Sequence, residues 1–164
     1  MWIRSLEYRQ RIDALQKKIR ESEIDALVVS EEEDIYYLTG LTYKSLERLF
    51  LLVVKADETI FILPKMELAH LQEVEHVSHI KWYWEYPAKE PERWQDVLLD
   101  LLKKDDRIGI GSKTPFEIGT FLSAMKLNPV TCDWVEELRW VKSEMEIKLI
   151  KRAAQYCDLA ISLL

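Results

Sequence analysis

The chain has 164 residues, 48% hydrophobic and 32% charged, with 23 basic against 29 acidic side chains and a net charge of −6. That length suits one domain with a substantial core, and the acidic balance gives no general attraction for nucleic acid or an anionic membrane. Two cysteines are too few for a disulfide-stapled secreted scaffold, charges at Arg4, Glu7, Arg9 and Arg11 interrupt any apolar leader, and the longest strongly apolar run (residues 49–54) is far short of a membrane span, so a cytoplasmic protein is expected.

Tyr8, Ile12, Leu15 and Ile19 alternate steps of four and three, which predicts an amphipathic first helix with a charged outer face. Residues 24–29, IDALVV, form a short apolar run that suits an interior strand. A short helix follows, with Ser30 and Glu33 spaced as a capping box and Gly40 placed just past its end. RLFLLVV (48–54) and TIFIL (59–63), four residues apart, predict an antiparallel hairpin. Residues 66–74 suit a helix. HIKWYWE (79–85) alternates as a strand, with Ile80, Trp82 and Trp84 on one side. Residues 91–103 suit a helix whose apolar face is Trp94, Val97, Leu98, Leu101 and Leu102, and RIGI (107–110) is another strand. Thr114, Pro115 and Glu117 offer an N-cap, a first-turn proline and an N3 acid for a helix with Phe116, Phe121, Leu122 and Met125 inward. A strand at 130–132 leads to Asp133 as the cap of a helix over 134–139. Ser143 and Glu146 then form a second capping box, after which Ile147, Ile150, Ala154, Cys157, Ile161 and Leu164 share one face of a helix that no glycine or proline ends. Alternating strands and helices with one hairpin predict a three-layer α/β/α domain around a mixed β-sheet.

Four local features are weighed as sites. Glu31, Glu32, Glu33 and Asp34 could attract a cation, but they occupy a helix's first turn, where negative charge complements the dipole and consecutive side chains diverge. His70, His76 and His79 lack the spacing of a zinc site. GIGSKT (109–114) lies between a strand and a helix as a phosphate loop would. However, Ser112 separates glycine from lysine, and Thr114 stands where a dinucleotide motif needs its third glycine. WYWEYP (82–87) is aromatic without the basic residues of a nucleic-acid platform, so it reads as core on one strand face and an interface on the other. No nucleophile is tied to a base by any motif.

Three stretches in order, DIYYLTG (34–40), ERLFLLVV (47–54) and LRWVKSEMEIKLIKRAA (138–154), resemble the N-terminal domain of the creatinase/prolidase family of Xaa-Pro peptidases. The most specific is the junction Arg139, Lys142, Ser143, Glu146 and Ile147. Asp34 replaces a common asparagine, Leu41 a common phenylalanine, and the serine of SEMEI lacks its usual following proline. The resemblance covers nearly the whole chain and implies a ribonuclease H-like N-terminal domain over residues 1–140. Residues 141–164 would then be the junction and first helix of a C-terminal catalytic domain.

The resemblance further implies hydrolysis of the bond before proline by two divalent metal ions (manganese, cobalt or zinc). Their Asp, His and Glu ligands belong to the C-terminal domain, so no catalytic or metal residue is assigned here. Implied partners are that catalytic domain, a second copy in a homodimer, and short proline-containing peptides, with no nucleic acid and no membrane. The loop at 41–48 is the candidate wall of the substrate entrance, with Tyr43, Glu47 and Arg48 placed to touch a peptide terminus or a partner subunit. Two other expectations remain: a peptidase-like binding module without catalysis, and a naturally short protein that dimerises through its last helix.

Overall fold

A computed structural model describes residues 5–71 and 76–163. The elements in chain order are α1 (Ser5–Arg20), β1 (Ala26–Val29), α2 (Glu32–Thr39), β2 (Leu51–Lys55), β3 (Thr59–Pro64), a 3-10 segment (Lys65–His70), β4 (His79–Tyr83), α3 (Trp94–Leu99), β5 (Arg107–Ile110), α4 (Phe116–Ala124), β6 (Asn128–Thr131), α5 (Trp134–Trp140) and α6 (Glu144–Ser162). The six strands form one sheet in the order β4-β3-β2-β1-β5-β6. β2 is antiparallel to both β1 and β3, while β1–β5, β5–β6 and β3–β4 run parallel. The sheet is mixed, as the hairpin and the α/β alternation require.

Both faces of the sheet are covered, which explains why the central strands are unbroken apolar runs rather than alternating ones. On one face Leu27, Val29, Leu52, Val54, Phe61 and Leu63 pack with Ile12, Leu15 and Ile19 of α1, Ile35 and Leu38 of α2, and Val135 of α5. On the other, Val28, Leu51, Val53, Ile60, Ile62 and Ile108 meet Leu98 of α3 and Ile118 and Leu122 of α4. Each fully buried Leu or Ile contributes roughly 1.5–3 kcal/mol of transfer free energy, so these two layers hold the fold.

Several predicted boundaries move. α2 is capped at Glu31 rather than Ser30, with no side-chain cap bond; the Ser30 hydroxyl instead faces Thr114 Oγ1 at 3.5 Å. α3 is only six residues, opened by Asp96, whose carboxylate accepts from the Arg93 backbone N–H at 3.1 Å and from its guanidinium, and closed before the turn in which Lys103 N–H donates to Asp106. α4 is capped at Pro115, one residue later than predicted. Leu122 is buried and Phe121 packs against the core as expected, but Ile118 takes the inward place, while Phe116 is 86% exposed and Met125 is exposed too. The predicted helix at 66–74 is a 3-10 segment over Lys65–His70, and its last residues lie outside those described.

β4 is a sheet edge. Ile80, Trp82 and Trp84 do share a side, but they stay exposed, and it is Tyr83 on the opposite side that enters the core. Lys65 Nζ lies 4.1 and 4.3 Å from the ring centroids of Trp82 and Trp84.

Candidate functional site

Two groups of residues surround the regions singled out in the sequence: the junction before α6 and the loop at 41–48.

The junction is built around Arg11. Its position three residues after Tyr8 and four before Leu15 puts a charge on the apolar stripe of α1, and the side chain is only 8% exposed. A guanidinium so placed needs its donors occupied. One nitrogen donates to the Tyr37 carbonyl at 2.6 Å, and another lies 3.4 Å from both Glu7 and Glu146. The group also stacks 3.9 Å from the Tyr37 ring centroid. Burial raises the pKa of Tyr37 above its ordinary value, with Arg11 opposing the shift. The Tyr37 hydroxyl donates to the Leu138 carbonyl at 3.1 Å, which ties α2 to α5.

The predicted capping box is present and does double duty. Ser143 Oγ accepts from Glu146 N–H at 3.1 Å, and Ser143 N–H donates to Glu146 Oε2 at 2.8 Å. The same hydroxyl donates to Glu7 of α1, with both carboxylate oxygens at 3.2 Å. Arg139 pairs with Asp34 at the start of α2. Burial pushes the Asp34 carboxyl up, and the Arg139 guanidinium pulls it back only in part. Lys142 is exposed and donates to the Trp140 carbonyl at 3.2 Å, while Ile147 is exposed on α6. The five junction residues therefore differ. Ser143 and Glu146 join Arg11, Arg139 holds α2, and Lys142 and Ile147 face solvent.

Tyr8 and Gly40 close this end of the molecule. Gly40 has φ +74°, the left-handed value that ends α2, and a Cβ there would come 2.7 Å from the Tyr8 ring.

The loop at 41–48 is anchored at three points. The Tyr43 ring turns inward onto Phe50, with centroids 4.2 Å apart, and its hydroxyl is buried without a partner. Burial raises its pKa, with Glu32 adding to the shift. Ser45 donates to Glu32 through both its N–H (3.3 Å) and its hydroxyl (3.1 Å). Arg48 pairs with Glu67 of the 3-10 segment and, at 3.0 Å, with Glu85 beyond β4. Below it, Tyr83 Oη donates to the Leu49 carbonyl at 2.9 Å and accepts from its N–H at 3.1 Å. Burial pushes this phenol up to about 12. Glu47 is exposed beside Leu46 at the tip. Of the three loop candidates, then, Glu47 faces solvent, Arg48 is a half-buried strut, and Tyr43 is part of the core.

The remaining features have structural explanations. The four consecutive carboxylates diverge, with Glu32 on Ser45, Asp34 on Arg139, Glu33 exposed and Glu31 against Gly111. Among the described residues, no three His, Cys, Asp or Glu side chains are grouped to hold a metal. The divalent ions implied by the resemblance therefore do not fit these residues, and no hydrolytic step is assigned to them. His76 stacks on Tyr8, His79 is exposed on β4, and the side chain of His70 lies outside the described residues. In GIGSKT the Ser112 N–H, which a phosphate would need, donates to Asp133 at 2.8 Å, and Lys113 is paired with Glu136 at 2.7 Å. Among the described residues no helix is long and apolar enough to cross a membrane.

The comparison with known proteins follows this architecture closely. The family model for the Creatinase/Prolidase N-terminal domain matches residues 11–141. The chain belongs to that family. It is similar, at 24% identity over 155 residues, to an uncharacterized peptidase of Staphylococcus aureus strain bovine RF122, covering 93% of this chain and 43% of the relative. A prolidase from Thermococcus sibiricus superposes with a TM-score of 0.75 at 25% identity, covering 94% of this chain and 43% of that one. The dipeptidase PepE from Mycobacterium ulcerans superposes at 0.74 and 24% identity, covering 90% and 40%. The chain thus spans less than half the length of these three relatives, and the creatinase/prolidase domain model matches it from Arg11 to Val141.

Arg11, Glu7 and Tyr37 were missed as a group by sequence reasoning. The one available signal was a charge at an inward position of α1.

Proposed function

We propose that this chain is the N-terminal, non-catalytic part of a metal-dependent Xaa-Pro peptidase, a dipeptidase or aminopeptidase whose chemistry belongs to a following domain. The observation that carries this reading is the family match over residues 11–141, together with relatives more than twice as long that are peptidases by name. α6 supports it. The helix begins with a complete capping box, yet none of its residues is buried, and Ile147, Ile150, Ala154, Cys157 and Ile161 form one exposed face. A catalytic domain packed on that face would bury it.

In this reading the loop at 41–48 walls the substrate entrance. Its anchoring by Glu32, Phe50, Glu67 and Glu85 holds the tip at Leu46 and Glu47 rigidly outward. A homodimer would bring that tip to the partner subunit's entrance.

The test is hydrolysis of an Xaa-Pro dipeptide with manganese present. The purified 164-residue chain should give no cleavage, and the protein encoded by the full parent gene should cleave. Turnover by the short chain alone would overturn the assignment. A full-length protein that lacks the Asp, His and Glu ligands and does not cleave would favour a binding module. In the active full-length enzyme, Glu47→Ala should raise KM with little change in kcat, as loss of a contact made equally in ground and transition states requires.

A further inference from the structure

The base of α6 is held by a small set of polar contacts and little else. We infer that Arg11 is a positioning residue: its clasp with Glu7, Tyr37 and Glu146 fixes the direction in which α6 leaves the sheet body. That direction would also set where a following domain stands. Only this last consequence rests on the peptidase reading.

Four observations carry the inference. First, the guanidinium touches three separate elements: Glu7 of its own helix, the carbonyl and ring of Tyr37 in α2, and Glu146 in the first turn of α6. Second, the capping serine of α6 uses its lone pair within its own helix and its proton on Glu7, so cap and clasp share one hydroxyl. Third, Met145, Glu146 and Leu149, all in its first two turns, are the half-buried residues of α6, and the rest of the helix is exposed. Among the described residues, the later turns of the helix have no buried packing to restrain its angle. Fourth, Arg11 bridges two carboxylates of different helices, Glu7 and Glu146. Without it these carboxylates repel, and the helix is pushed away rather than simply released.

A helix of 19 residues acts as a lever. At about 1.5 Å per residue, a tilt of about 10° at its base moves the far end by about 5 Å. Polar contacts at one end are therefore enough to decide where the other end lies.

The chain supplies its own probe. Cys157 is exposed on α6, whereas Cys132 is buried, with burial pushing its thiol up to about 11, so a spin label reacts at Cys157. A second label at Lys17→Cys on α1, well away from the clasp, gives an inter-label distance distribution by electron–electron resonance. With Arg11 present the distribution should be narrow. Arg11→Met should broaden it and shift its mean by about 3 Å or more. Glu146→Gln added to Arg11→Met should restore part of the width by removing the repulsion. Ser143→Ala should give a smaller broadening, and it leaves the body untouched.

If Arg11→Met does not keep the circular dichroism of the folded sheet, Arg11→Lys carries the test. A lysine keeps the charge but cannot span three acceptors in the guanidinium's planar arrangement. An unchanged distribution in Arg11→Lys and Ser143→Ala, or in a folded Arg11→Met, would overturn the proposal. In the full-length enzyme the same variants should change KM more than kcat. Failure of that second readout alone would count against the peptidase reading and leave the distance result standing.

Discussion

The sheet body and α6 carry equally regular apolar patterns and meet opposite fates. In the body, Leu52, Val53 and Leu63 have no exposed surface, because helices cover both faces of the sheet. In α6 the apolar residues fall on one face with the same regularity, and none is buried. Periodicity therefore marks a face that can be buried. Burial itself depends on what stands opposite.

That contrast can be broken or sharpened by measurement. The largest effect should come from Leu63→Ala, which removes a fully buried side chain between two packed layers. A loss of about 2–5 kcal/mol is expected, read from urea denaturation followed by tryptophan fluorescence. A loss below about 1 kcal/mol would mean that the core is looser than its burial indicates.

Alkali should act next, and on the body. Burial raises Cys132 from 9.0 to about 11 and Tyr83 from 10.0 to about 12. Both groups hold their protons more tightly folded than unfolded. The stability they contribute is thus complete below about pH 9 and is lost as pH rises through about 11 and 12. Urea midpoints should fall from pH 9 upward, and Cys132→Ala should remove the lower step of that fall. A midpoint flat to pH 11 would show that neither shift exists.

Ser143→Ala should cost about 1 kcal/mol of helix stability, with the loss confined to α6. Hydrogen exchange should quicken in the first turns of α6 and stay unchanged in β2 and β3. Spread of the effect into the strands would show that α6 and the body unfold as one unit. The smallest effect should be that of Ile161→Ala, an exposed residue far along α6. A change within about 0.5 kcal/mol is expected, and a larger one would mean that its face is covered in solution.

Much of the scaffold was legible because its signals are local. The hairpin of β2 and β3, the strand at Arg107–Ile110, Gly40 beyond α2, and the Ser143–Glu146 box all appear where residue order places them. Each depends on neighbours a few positions apart. The errors also have physical causes. Phe116 opens α4 and points outward, because the inward face is set by Ile118 and Leu122, four residues apart. Ile80, Trp82 and Trp84 were correctly grouped, but alternation cannot say which side of a strand faces a helix.

The candidate sites were less legible for a related reason. Arg48 finds Glu67 and Glu85 only because β3 and β4 lie side by side. Tyr43 looked like a loop residue until the chain folded its ring onto Phe50. Arg11 is separated from Glu146 by nearly the whole chain, and no local pattern joins them.

The sequence by itself determined the order and type of most elements, the caps at Gly40 and Ser143, and membership of a family through motifs that are contiguous in the chain. These rest on backbone hydrogen bonds and side-chain periodicity spanning a few residues. Tertiary structure alone decided that β4 shows its tryptophans to solvent, that Tyr43 points inward, and that Arg11 joins α1, α2 and α6. Those outcomes depend on which surfaces meet across the fold, and the energy of a buried charge or ring is set by partners distant in the chain.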